Sequence, residues 1–480
     1  MPPTQRWWNS TSRYSWWNLV AERATNSGRL YVANRGEIAL RAIRAAHSLG
    51  MQTVLGVSVA DRDGIGAREA DRTVLIGPSA ARDSYLNAAI AVHAAKATGC
   101  TMLHPGYGFL SERPELAELC DEQGIAFVGP TAQSIRQIGD KLSAREVARA
   151  ADVPLTRGTE KVGDVSQALE MADRIGYPVI TKASAGGGGR GMVVARNSEE
   201  LSASFDVAAT TAREAFGDGT LYLERYVEAA RHIEVQLLGD GKGTVVHFGE
   251  RDCSIQRRYQ KMIEEAPAQI LPREVRERLH ACAIDLLSSI CYRNAGTVEF
   301  LYDVERREFF FMEVNARIQV EHPVSEAITG KNLVRMQIQI ANNGLGRLDQ
   351  RDIKMSGHAI EARIIAEDPA RNFIPSPGRI TRWMPPQGAG VRIDSAVGEG
   401  SFISPFYDSM IAKLIVHGAT REQAVDRLAA ALASFSVEGI ATNIPLLRFI
   451  VDHADFRSNR TNTRWLEDVG LPVFRSHQGR

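Results

Sequence analysis

The folded part of the chain opens with an apolar strand, a glycine turn, an amphipathic helix and a second strand, and this order constrains the fold more than any other feature. The first strand covers residues 30–33, and Gly36 marks the turn into a helical pattern that Gly50 ends. The second strand covers residues 52–57. A strand, a helix and a strand in this order form a right-handed unit of a parallel sheet. We therefore predict an α/β fold that begins with a Rossmann-like parallel sheet, and we interpret the single glycine turn as structural.

The length of 480 residues predicts about three domains, since domains average about 150 residues. Hydrophobic residues at 44% and charged residues at 24% are typical of a globular protein, which excludes a disordered or fibrous chain. Residues 1–28 stand apart, with four tryptophans among Ser, Thr, Asn and Arg. This segment is either transit-like or an extension with little fixed structure, and we favour the extension because termini commonly lack structure.

The charge balance gives no reason to expect nucleic acid or a membrane surface as partner, because 57 Lys and Arg face 57 Asp and Glu. The five cysteines are odd in number and scattered, as in reduced proteins of the cytoplasm. The sequence has no apolar run near the roughly 20 residues that span a bilayer. We therefore predict a cytoplasmic protein that binds any anionic ligand through a local basic site.

A glycine-rich segment with four consecutive glycines, at residues 186–189, follows an apolar strand over residues 179–182. Without Cβ atoms, the backbone N–H groups of such a segment can approach phosphate oxygens closely, and Lys182 adds a positive charge. The glycines are not followed by Gly-Lys-Ser/Thr, so the segment is not a P-loop. We predict a mobile phosphate-binding segment, with a plain surface loop as the alternative.

Two carboxylates are embedded in apolar strand patterns, Glu299 in GTVEF and Glu313 in FMEVN. A carboxylate inside such a strand is costly without a partner. If the two strands are neighbours, Glu299, Glu313 and the nearby Asn315 offer the oxygen ligands of a hard cation such as Mg²⁺ held against nucleotide phosphates. The alternative for each residue is a surface-facing strand position.

Three polar residues alternate in the segment that follows, namely Arg317, Gln319 and Glu321. If this segment is extended, the spacing of two places them on one face. A cation, an amide and a carboxylate together suit the binding of a small oxyanion beside a proton acceptor. Exposed polarity at a sheet edge is the alternative.

A basic run concentrates four cations in residues 251–261 of an otherwise neutral protein. Runs of this kind are ordinarily a solvated charged face, and the run alone favours that interpretation. Cys253, within the run, has no adjacent His and is expected to be a small buried side chain.

In this order, these segments resemble biotin carboxylase, a member of the ATP-grasp superfamily, over residues 29–472. The strings that carry the resemblance are ANRGEIA from Ala33, HPGYGFLSE from His104, GDK ending at Lys141, KASAGGGGRGM from Lys182, ERDCSIQRR from Glu250, EEAPA from Glu264, RIQVEHPVSE from Arg317 and PSPG from Pro375. The resemblance implies a Rossmann-like domain over 29–141, an ATP-grasp domain over 142–350 with a mobile glycine-rich lid at about 156–228, and a C-terminal mixed domain over 351–472.

The resemblance also implies ligands for particular residues. ATP phosphates would be contacted by Lys141, Lys182, Gly188, Gly189 and His232, and the adenine side by Glu224, Arg225, Tyr226 and Val227. Mg²⁺ or Mn²⁺ would be held by Glu299, Glu313 and Asn315, bicarbonate by Lys261, Arg317, Gln319 and Val320, and biotin would face Arg363. Many family members have His where this chain has Tyr259, which puts an ATP contact at that position in question.

The mechanism implied by the resemblance begins with Glu321 as general base. Bicarbonate attacks the γ-phosphate to give carboxyphosphate, which releases CO₂ beside biotin, and the released phosphate helps to deprotonate the biotin nitrogen. Arg363 would stabilise the oxyanion that develops on biotin. Closure of the lid would keep water away from carboxyphosphate.

The chain lacks a Met-Lys-Met biotin-attachment motif, so we expect a biotin carboxyl carrier protein and a carboxyltransferase as separate partners, with the chain itself a homodimer. We favour an acetyl-CoA or propionyl-CoA carboxylase, the former serving fatty acid biosynthesis, over a pyruvate or urea carboxylase. Another ATP-grasp ligase of the carbamoyl phosphate synthase type would not depend on biotin. A non-catalytic scaffold would not need Lys182, Glu299, Glu313, Arg317 and Glu321.

Overall fold

The computed structural model describes residues 28–184 and 192–478. The predicted extension up to residue 27, and Gly188 and Gly189 of the glycine-rich segment, lie outside the described residues. The first elements are β1 (Arg29–Val32), α1 (Gly36–His47), β2 (Gln52–Ser58), α2 (Ile65–Glu69), β3 (Arg72–Gly77), α3 (Ala88–Ala97), β4 (Met102–His104), α4 (Pro114–Glu122), β5 (Ala126–Phe127) and α5 (Ala132–Gly139). They form the predicted parallel sheet, in the order β3-β2-β1-β4-β5.

The next elements form a small unit around a three-stranded antiparallel sheet. They are α6 (Lys141–Ala150), α7 (Val165–Ile175), β6 (Val179–Ala183), β7 (Val193–Ala195), α8 (Ser198–Phe216) and β8 (Leu221–Arg225). β6 lies in the centre and pairs with β7 and β8, and its side chains share a core with those of α7 and α8. Asp140 caps α6 by accepting from the Ser143 N–H at 2.8 Å, which places Lys141 at the first position of the helix.

The central part is built on long antiparallel strands. Its elements are β9 (Ala230–Asp240), β10 (Val245–Arg257), β11 (Gln260–Ala266), α9 (Arg273–Ser289), β12 (Arg293–Asp303), β13 (Glu308–Asn315), α10 (His322–Thr329) and α11 (Leu333–Ala341). Alternation along β9 turns Ile233, Val235 and Leu237 into the core that contains α9. The residues between them are polar and face the opposite side of the sheet, which borders a large cleft.

The C-terminal elements pack helices against further antiparallel strands. They are β14 (His358–Ile365), β15 (Glu367–Asp368), β16 (Ile374–Pro375), β17 (Gly378–Arg379), β18 (Arg382–Met384), β19 (Val391–Ser395), β20 (Phe402–Ile403), β21 (Met410–Gly418), α12 (Arg421–Ser434), β22 (Ser436–Glu438), α13 (Ile444–Asp452), α14 (Ala454–Arg457), a π-helical turn (Leu466–Gly470) and α15 (Leu471–Gln478). Their core joins α12 and α13 to β14 and β21.

One sheet of eight strands, in the order β13-β12-β9-β10-β11-β14-β21-β19, runs through the central and C-terminal parts. The sheet continues from the central to the C-terminal part through the antiparallel pairing of β11 with β14. The predicted mixed α/β class, with a parallel first sheet, is confirmed. The shared sheet matters for the site because it fixes side chains from residues 261–264 and 361–363 at neighbouring positions on a rigid surface.

Candidate active site

A cleft of about 850 Å³ lies between the first sheet, the central sheet and the C-terminal part. The predicted site residues that line it are Lys141, Lys182, His232, Tyr259, Lys261, Glu299, Glu313, Asn315, Arg317, Gln319, Val320 and Arg363. The first glycine turn contributes as well, since Gly36, with a φ of 66°, lines the cleft together with its neighbours Arg35 and Glu37. The turn that the sequence predicts to be structural is therefore also part of the wall of this cleft.

The two strand carboxylates lie directly opposite each other, since Glu299 on β12 pairs in register with Glu313 on β13. Lys141 lies 3.7 Å from Glu313, and Asn315 donates its amide to Glu299 at 2.9 Å. The amide oxygen of Asn315 accepts from Arg317 at 2.9 Å. Two opposed carboxylates facing a cleft fit a divalent cation. Asn315 would join such a site only after turning its oxygen towards Glu299.

Lys261 is the centre of a buried cluster of carboxylates. Its ammonium group lies 2.5 Å from Glu234, 3.0 Å from Glu299 and 2.7 Å from Glu321. Burial alone would lower the pKa of Lys261. The three carboxylates raise this pKa by more than burial lowers it, so the net pKa lies well above its ordinary value. Burial raises the pKa of Glu299, and Lys261 and His232, the latter 2.8 Å away, lower it to well below its ordinary value. The cluster therefore holds anionic oxygens beside a fixed cation at neutral pH.

The interpretation of the basic run as a solvated face is wrong for Arg251 and Lys261, whereas Arg258 of the same run is exposed. The Arg251 side chain is 0% exposed and contacts Glu234 at 2.5 Å, Gln236 at 2.8 Å and Ser325 at 3.1 Å. Arg251 is buried because β10 is an inner strand of the sheet, and its side chain faces partners on β9 and α10. Cys253 is fully buried, as expected.

Arg363 on β14 bridges two carboxylates at the edge of this cluster. Its Nε donates to Glu264 at 2.6 Å, and a terminal nitrogen donates to Glu321 at 3.0 Å. Burial and Glu234 raise the pKa of Glu321, whereas Lys261 and Arg363 lower it, and the net pKa lies below its ordinary value. Glu321 is thus an ionised carboxylate that two cations hold in place, the state that a general base requires.

The segment of Arg317, Gln319 and Glu321 is not a strand, but its side chains still converge. Arg317 donates to Gln319 at 2.8 Å and to Glu112 at 2.9 Å, and Gln319 donates to Glu299 at 3.0 Å. Glu321 stands at the beginning of α10 rather than on an extended face. The carbonyl of Val320 accepts from Lys413 at 3.0 Å. The turn into the helix, not a strand alternation, therefore brings these groups together.

Lys182 is held by a buried carboxylate on the neighbouring strand. Glu224 on β8 accepts from Lys182 at 2.9 Å, from Arg145 at 2.7 Å and from Thr156 at 2.9 Å. Burial raises the pKa of Glu224, but Lys182 and Arg145 lower it to below its ordinary value. The Glu224 side chain therefore binds Lys182 in this structure rather than facing a ligand.

The predicted adenine-side residues continue from β8 into a loop. The backbone N–H groups of Arg225 and Tyr226 donate to Arg157 at 2.7 Å and to Pro178 at 3.0 Å. Among the described residues that line the cleft, none comes from the range 224–227. Their role in nucleotide binding stays a prediction.

Tyr259 stands at the tip of the hairpin that joins β10 to β11. Arg258 and Tyr259 have φ angles of 47° and 65°, as a two-residue type I′ turn requires. The Arg258 N–H donates to Glu467 at 2.9 Å. Tyr259 is 47% exposed as a residue and lines the cleft, whereas the Arg257 guanidinium lies over the Phe373 ring at 3.7 Å. Arg257 is therefore not oriented to replace a nucleotide contact at position 259.

Two functional candidates, Glu112 and Glu234, were not singled out from the sequence. Glu112 accepts from Arg317 and from the Ala316 N–H at 3.0 Å. Glu234 joins Lys261 to Arg251. The polar alternation of residues 232, 234 and 236 in an apolar strand was a signal for Glu234, because it indicates one strand face turned towards polar partners.

In residues 28–184 and 192–478, none of the helices combines the length and the apolarity of a membrane-spanning segment.

Models of three protein domains match consecutive parts of the chain. They are "Biotin carboxylase, N-terminal domain" at residues 26–135, "Carbamoyl-phosphate synthase L chain, ATP binding domain" at 140–348 and "Biotin carboxylase C-terminal domain" at 361–468. The chain is 48% identical over 440 residues to Biotin carboxylase 1 of Bacillus subtilis (strain 168), covering 92% of this chain and 98% of that protein.

Two other relatives belong to carboxylases that are named for different acceptors of the carboxyl group, pyruvate and 2-oxoglutarate. A pyruvate carboxylase subunit of Methanothermobacter thermautotrophicus is 46% identical, with 92% of this chain and 89% of that protein covered. The biotin carboxylase domain dimer of Hydrogenobacter thermophilus 2-oxoglutarate carboxylase was solved with MgADP, ADP and bicarbonate. It superposes with a TM-score of 0.89 at 46% identity, covering 93% of this chain and 98% of that one.

Proposed function

The chain belongs to the biotin carboxylase family, and on this premise we propose that the Lys261 cluster and Arg363 carry out the ATP- and bicarbonate-dependent carboxylation of biotin. The predicted family and the enzyme class, an ATP-dependent ligase, are confirmed. The assignment of individual residues is our proposal. The observation that carries it is the position of Glu321, which is buried between Lys261 at 2.7 Å and Arg363 at 3.0 Å.

Glu321 accepts the proton of bicarbonate in this proposal. Its ionised state at neutral pH follows from its two cationic neighbours, and Lys261, Arg317 and Gln319 are the donors that suit the oxygens of bicarbonate beside it. Deprotonated bicarbonate attacks the γ-phosphorus of ATP, and the bond to ADP breaks to give carboxyphosphate. Once Glu321 is protonated, Arg363 loses one of its two anionic partners and can face the oxyanion that forms on biotin.

The nucleotide is proposed to lie along Lys141, Lys182 and His232, all of which face the cleft. The ammonium group of Lys182 has three N–H donors, so it can bind phosphate in the cleft while its contact of 2.9 Å with Glu224 holds it in place. Glu299 and Glu313 fit a divalent cation, with Asn315 after rotation of its amide. Mg²⁺ or Mn²⁺ bound there would supply positive charge for the phosphate oxygens. The domain boundaries at 141 and 350, and the lid over 156–228, remain proposals of the same kind.

The test is ATP hydrolysis measured with and without bicarbonate, and then with added free biotin. We expect hydrolysis that requires bicarbonate and increases with biotin, because the cleft provides groups for all three substrates. A carbamoyl phosphate synthase-type ligase would not respond to biotin. A folded preparation whose hydrolysis ignores both bicarbonate and biotin would refute the proposal.

We also propose that the chain works in the cytoplasm as a homodimer, with a biotin carboxyl carrier protein and a carboxyltransferase as separate partners. An acetyl-CoA or propionyl-CoA carboxylase is the favoured complex. Relatives named for pyruvate and for 2-oxoglutarate are each 46% identical to the chain, so similarity of this subunit does not decide the acceptor. Purification of the native complex and an assay of its transferase with acyl-CoA, pyruvate and 2-oxoglutarate would test the choice. Carboxylation of pyruvate alone would overturn it.

A further inference from the structure

Two carboxylates lie opposite each other on neighbouring strands of the sheet, and one of them is two residues before Arg363 on the same strand. Glu264 on β11 pairs in register with Glu361 on β14, so their Cβ atoms are about 5 Å apart on the same face of the sheet. Both side chains are 0% exposed. Within the described part of the chain, neither oxygen of Glu361 and only one oxygen of Glu264 has a hydrogen-bond partner. Neither residue belongs to the set proposed above for ATP, metal or bicarbonate.

The charges that surround Glu361 come from four directions. Lys413 lies on β21, Arg363 on β14 itself, Glu264 on β11 and Glu321 at the beginning of α10. The Tyr107 hydroxyl, in the loop after β4, donates to Glu37 and not to Glu361. Lys413 is already engaged by Glu37 at 3.0 Å and by the Val320 carbonyl at 3.0 Å. Arg363 is engaged by Glu264 and Glu321, so neither cation serves Glu361 by direct contact.

A buried carboxylate without hydrogen bonds is stable only as a neutral acid, because desolvation of the charged form is too costly. Two carboxylates at one site raise the cost further, and such pairs share a proton. We propose that Glu264 and Glu361 hold one proton between them at neutral pH, with Glu361 as the neutral acid and Glu264 as the anion that orients Arg363. Burial and the carboxylates of Glu264 and Glu321 raise the pKa of Glu361 well above its ordinary value, although Lys413 and Arg363 lower it. Burial also raises the pKa of Glu264, against the lowering by Arg363, but only to about 7, so the proton resides on Glu361 first.

The shared proton determines how many anions surround the Arg363 guanidinium and therefore whether it can bind a further oxyanion. This consequence rests on the function proposed above. With one proton on the pair, Arg363 faces one anion at Glu264 and one at Glu321. When Glu321 takes the proton of bicarbonate, only Glu264 remains, and the other side of the guanidinium can turn to an oxyanion in the cleft. If Glu361 were also ionised, a second anion behind Arg363 would hold the guanidinium away from the cleft. Glu361 is thus a positioning residue that acts through its proton.

The protonation state is measured by infrared difference spectroscopy, which separates the carbonyl stretch of a neutral carboxylic acid from carboxylate bands. We expect the wild-type minus Glu361→Gln spectrum at pH 7 to contain a neutral-acid band that shifts in D₂O. The matched control is Glu265→Gln, the next residue on β11, which is buried but ionised by Arg421 at 2.6 Å and His358 at 2.7 Å. Its difference spectrum should contain carboxylate bands only. Loss of carboxylate bands alone in Glu361→Gln would overturn the proposal.

A second variant keeps the inference testable if Glu361→Gln does not fold. Glu264→Gln removes the opposing carboxylate, so Glu361 should release its proton at lower pH than in the wild type. The acid band should then disappear at lower pH, and an unchanged midpoint would contradict the shared proton. These spectra need no turnover, so they stand apart from the proposed function.

The consequence for Arg363 is tested by the pH dependence of biotin carboxylation. Wild-type turnover should fall at alkaline pH as the pair loses its last proton, and Glu361→Gln should lose this fall because an amide does not ionise. A merely structural role for Glu361 would lower turnover equally at every pH. The same alkaline fall in Glu361→Gln would contradict the positioning role. Absence of biotin carboxylation in the wild type at every pH would instead refute the proposed function.

Discussion

Replacement of Lys261 by Met removes the cation at the centre of three buried carboxylates. Glu234 and Glu321 are 0% exposed and Glu299 is 4% exposed, so the three carboxylates are poorly solvated once the ammonium group is lost. Methionine keeps most of the side-chain length and introduces no polar atom. The substitution therefore tests electrostatics with little change in packing volume.

The expected loss is about 3–5 kcal/mol in the free energy of unfolding, the range for removing one partner of a buried ion pair. It is not three times that range, because each carboxylate keeps another partner. Glu234 keeps Arg251 at 2.5 Å and Glu299 keeps His232 at 2.8 Å. Glu321 keeps Arg363 at 3.0 Å.

The loss should depend on pH in a direction that the pKa shifts determine. Burial raises the pKa of Glu234, whereas Arg251 and Lys261 lower it, to about 2. A carboxyl whose folded-state pKa is depressed contributes stability above its unfolded pKa of about 4.3, and this stability is lost as the pH falls through the folded pKa. Without Lys261 the carboxylates take up protons more readily in the folded state. The difference between wild type and Lys261→Met should therefore be largest at neutral pH and shrink towards pH 5.

Urea unfolding at about pH 7.5 and 5 measures the loss in the free energy of unfolding. Because a chain of several parts need not unfold in one step, amide hydrogen exchange of β9, β10 and β12 should be measured as well, to show that the loss arises in the strands around Lys261. The matched control is Lys354→Met, at an exposed lysine, with an expected effect within about 0.5 kcal/mol. A loss under about 1 kcal/mol at neutral pH, or one independent of pH, would refute the reasoning.

Three further substitutions test the proposed roles by kinetics. Glu321→Gln should lower turnover by about 10² to 10⁴-fold while keeping the KM for ATP, because an amide preserves shape but accepts no proton; near-normal turnover in the folded variant would place the base elsewhere. Tyr259→Phe should raise the KM for ATP severalfold by loss of one hydrogen bond. Tyr259→His should be measured beside it between about pH 6 and 8, a range that brackets histidine titration. An unchanged KM for ATP in both variants would remove Tyr259 from the ATP site. Glu112→Gln should raise the KM for bicarbonate severalfold, because it reduces the ion pair with Arg317 at 2.9 Å to a hydrogen bond between a cation and a neutral amide and so holds Arg317 less firmly. Unchanged bicarbonate kinetics would make that ion pair dispensable.

The fold was predictable where it depends on local pattern. The strand, turn and helix around Gly36 follow from apolar periodicity and glycine positions, and all three are present. The pairing of β11 with β14 was not predictable. These strands are about 90 residues apart in the chain, and no local pattern states which distant strand completes a sheet edge. The side-by-side position of Glu264 and Glu361 depends entirely on that pairing.

The site was predictable where a residue is unusual for its surroundings. Glu299 and Glu313 are carboxylates in apolar strands, and their opposed register agrees with the reason for selecting them. Arg251 was misjudged because a run of charges says nothing about partners on other strands. The buried guanidinium of Arg251 is stabilised by Glu234, which lies opposite it on β9.

Tyr259 shows why some site geometry lies beyond local rules. Two consecutive residues with positive φ normally require Asn and Gly, because other side chains are strained there, yet this hairpin has Arg258 and Tyr259. The strain is held by a tertiary contact, since Glu467, 209 residues further along the chain, accepts from the Arg258 N–H at 2.9 Å. Strained backbone of this kind is concentrated at functional sites. The direction of Tyr259, and with it the start of the strand that carries Lys261, is therefore fixed by the C-terminal part of the chain and not by the hairpin sequence.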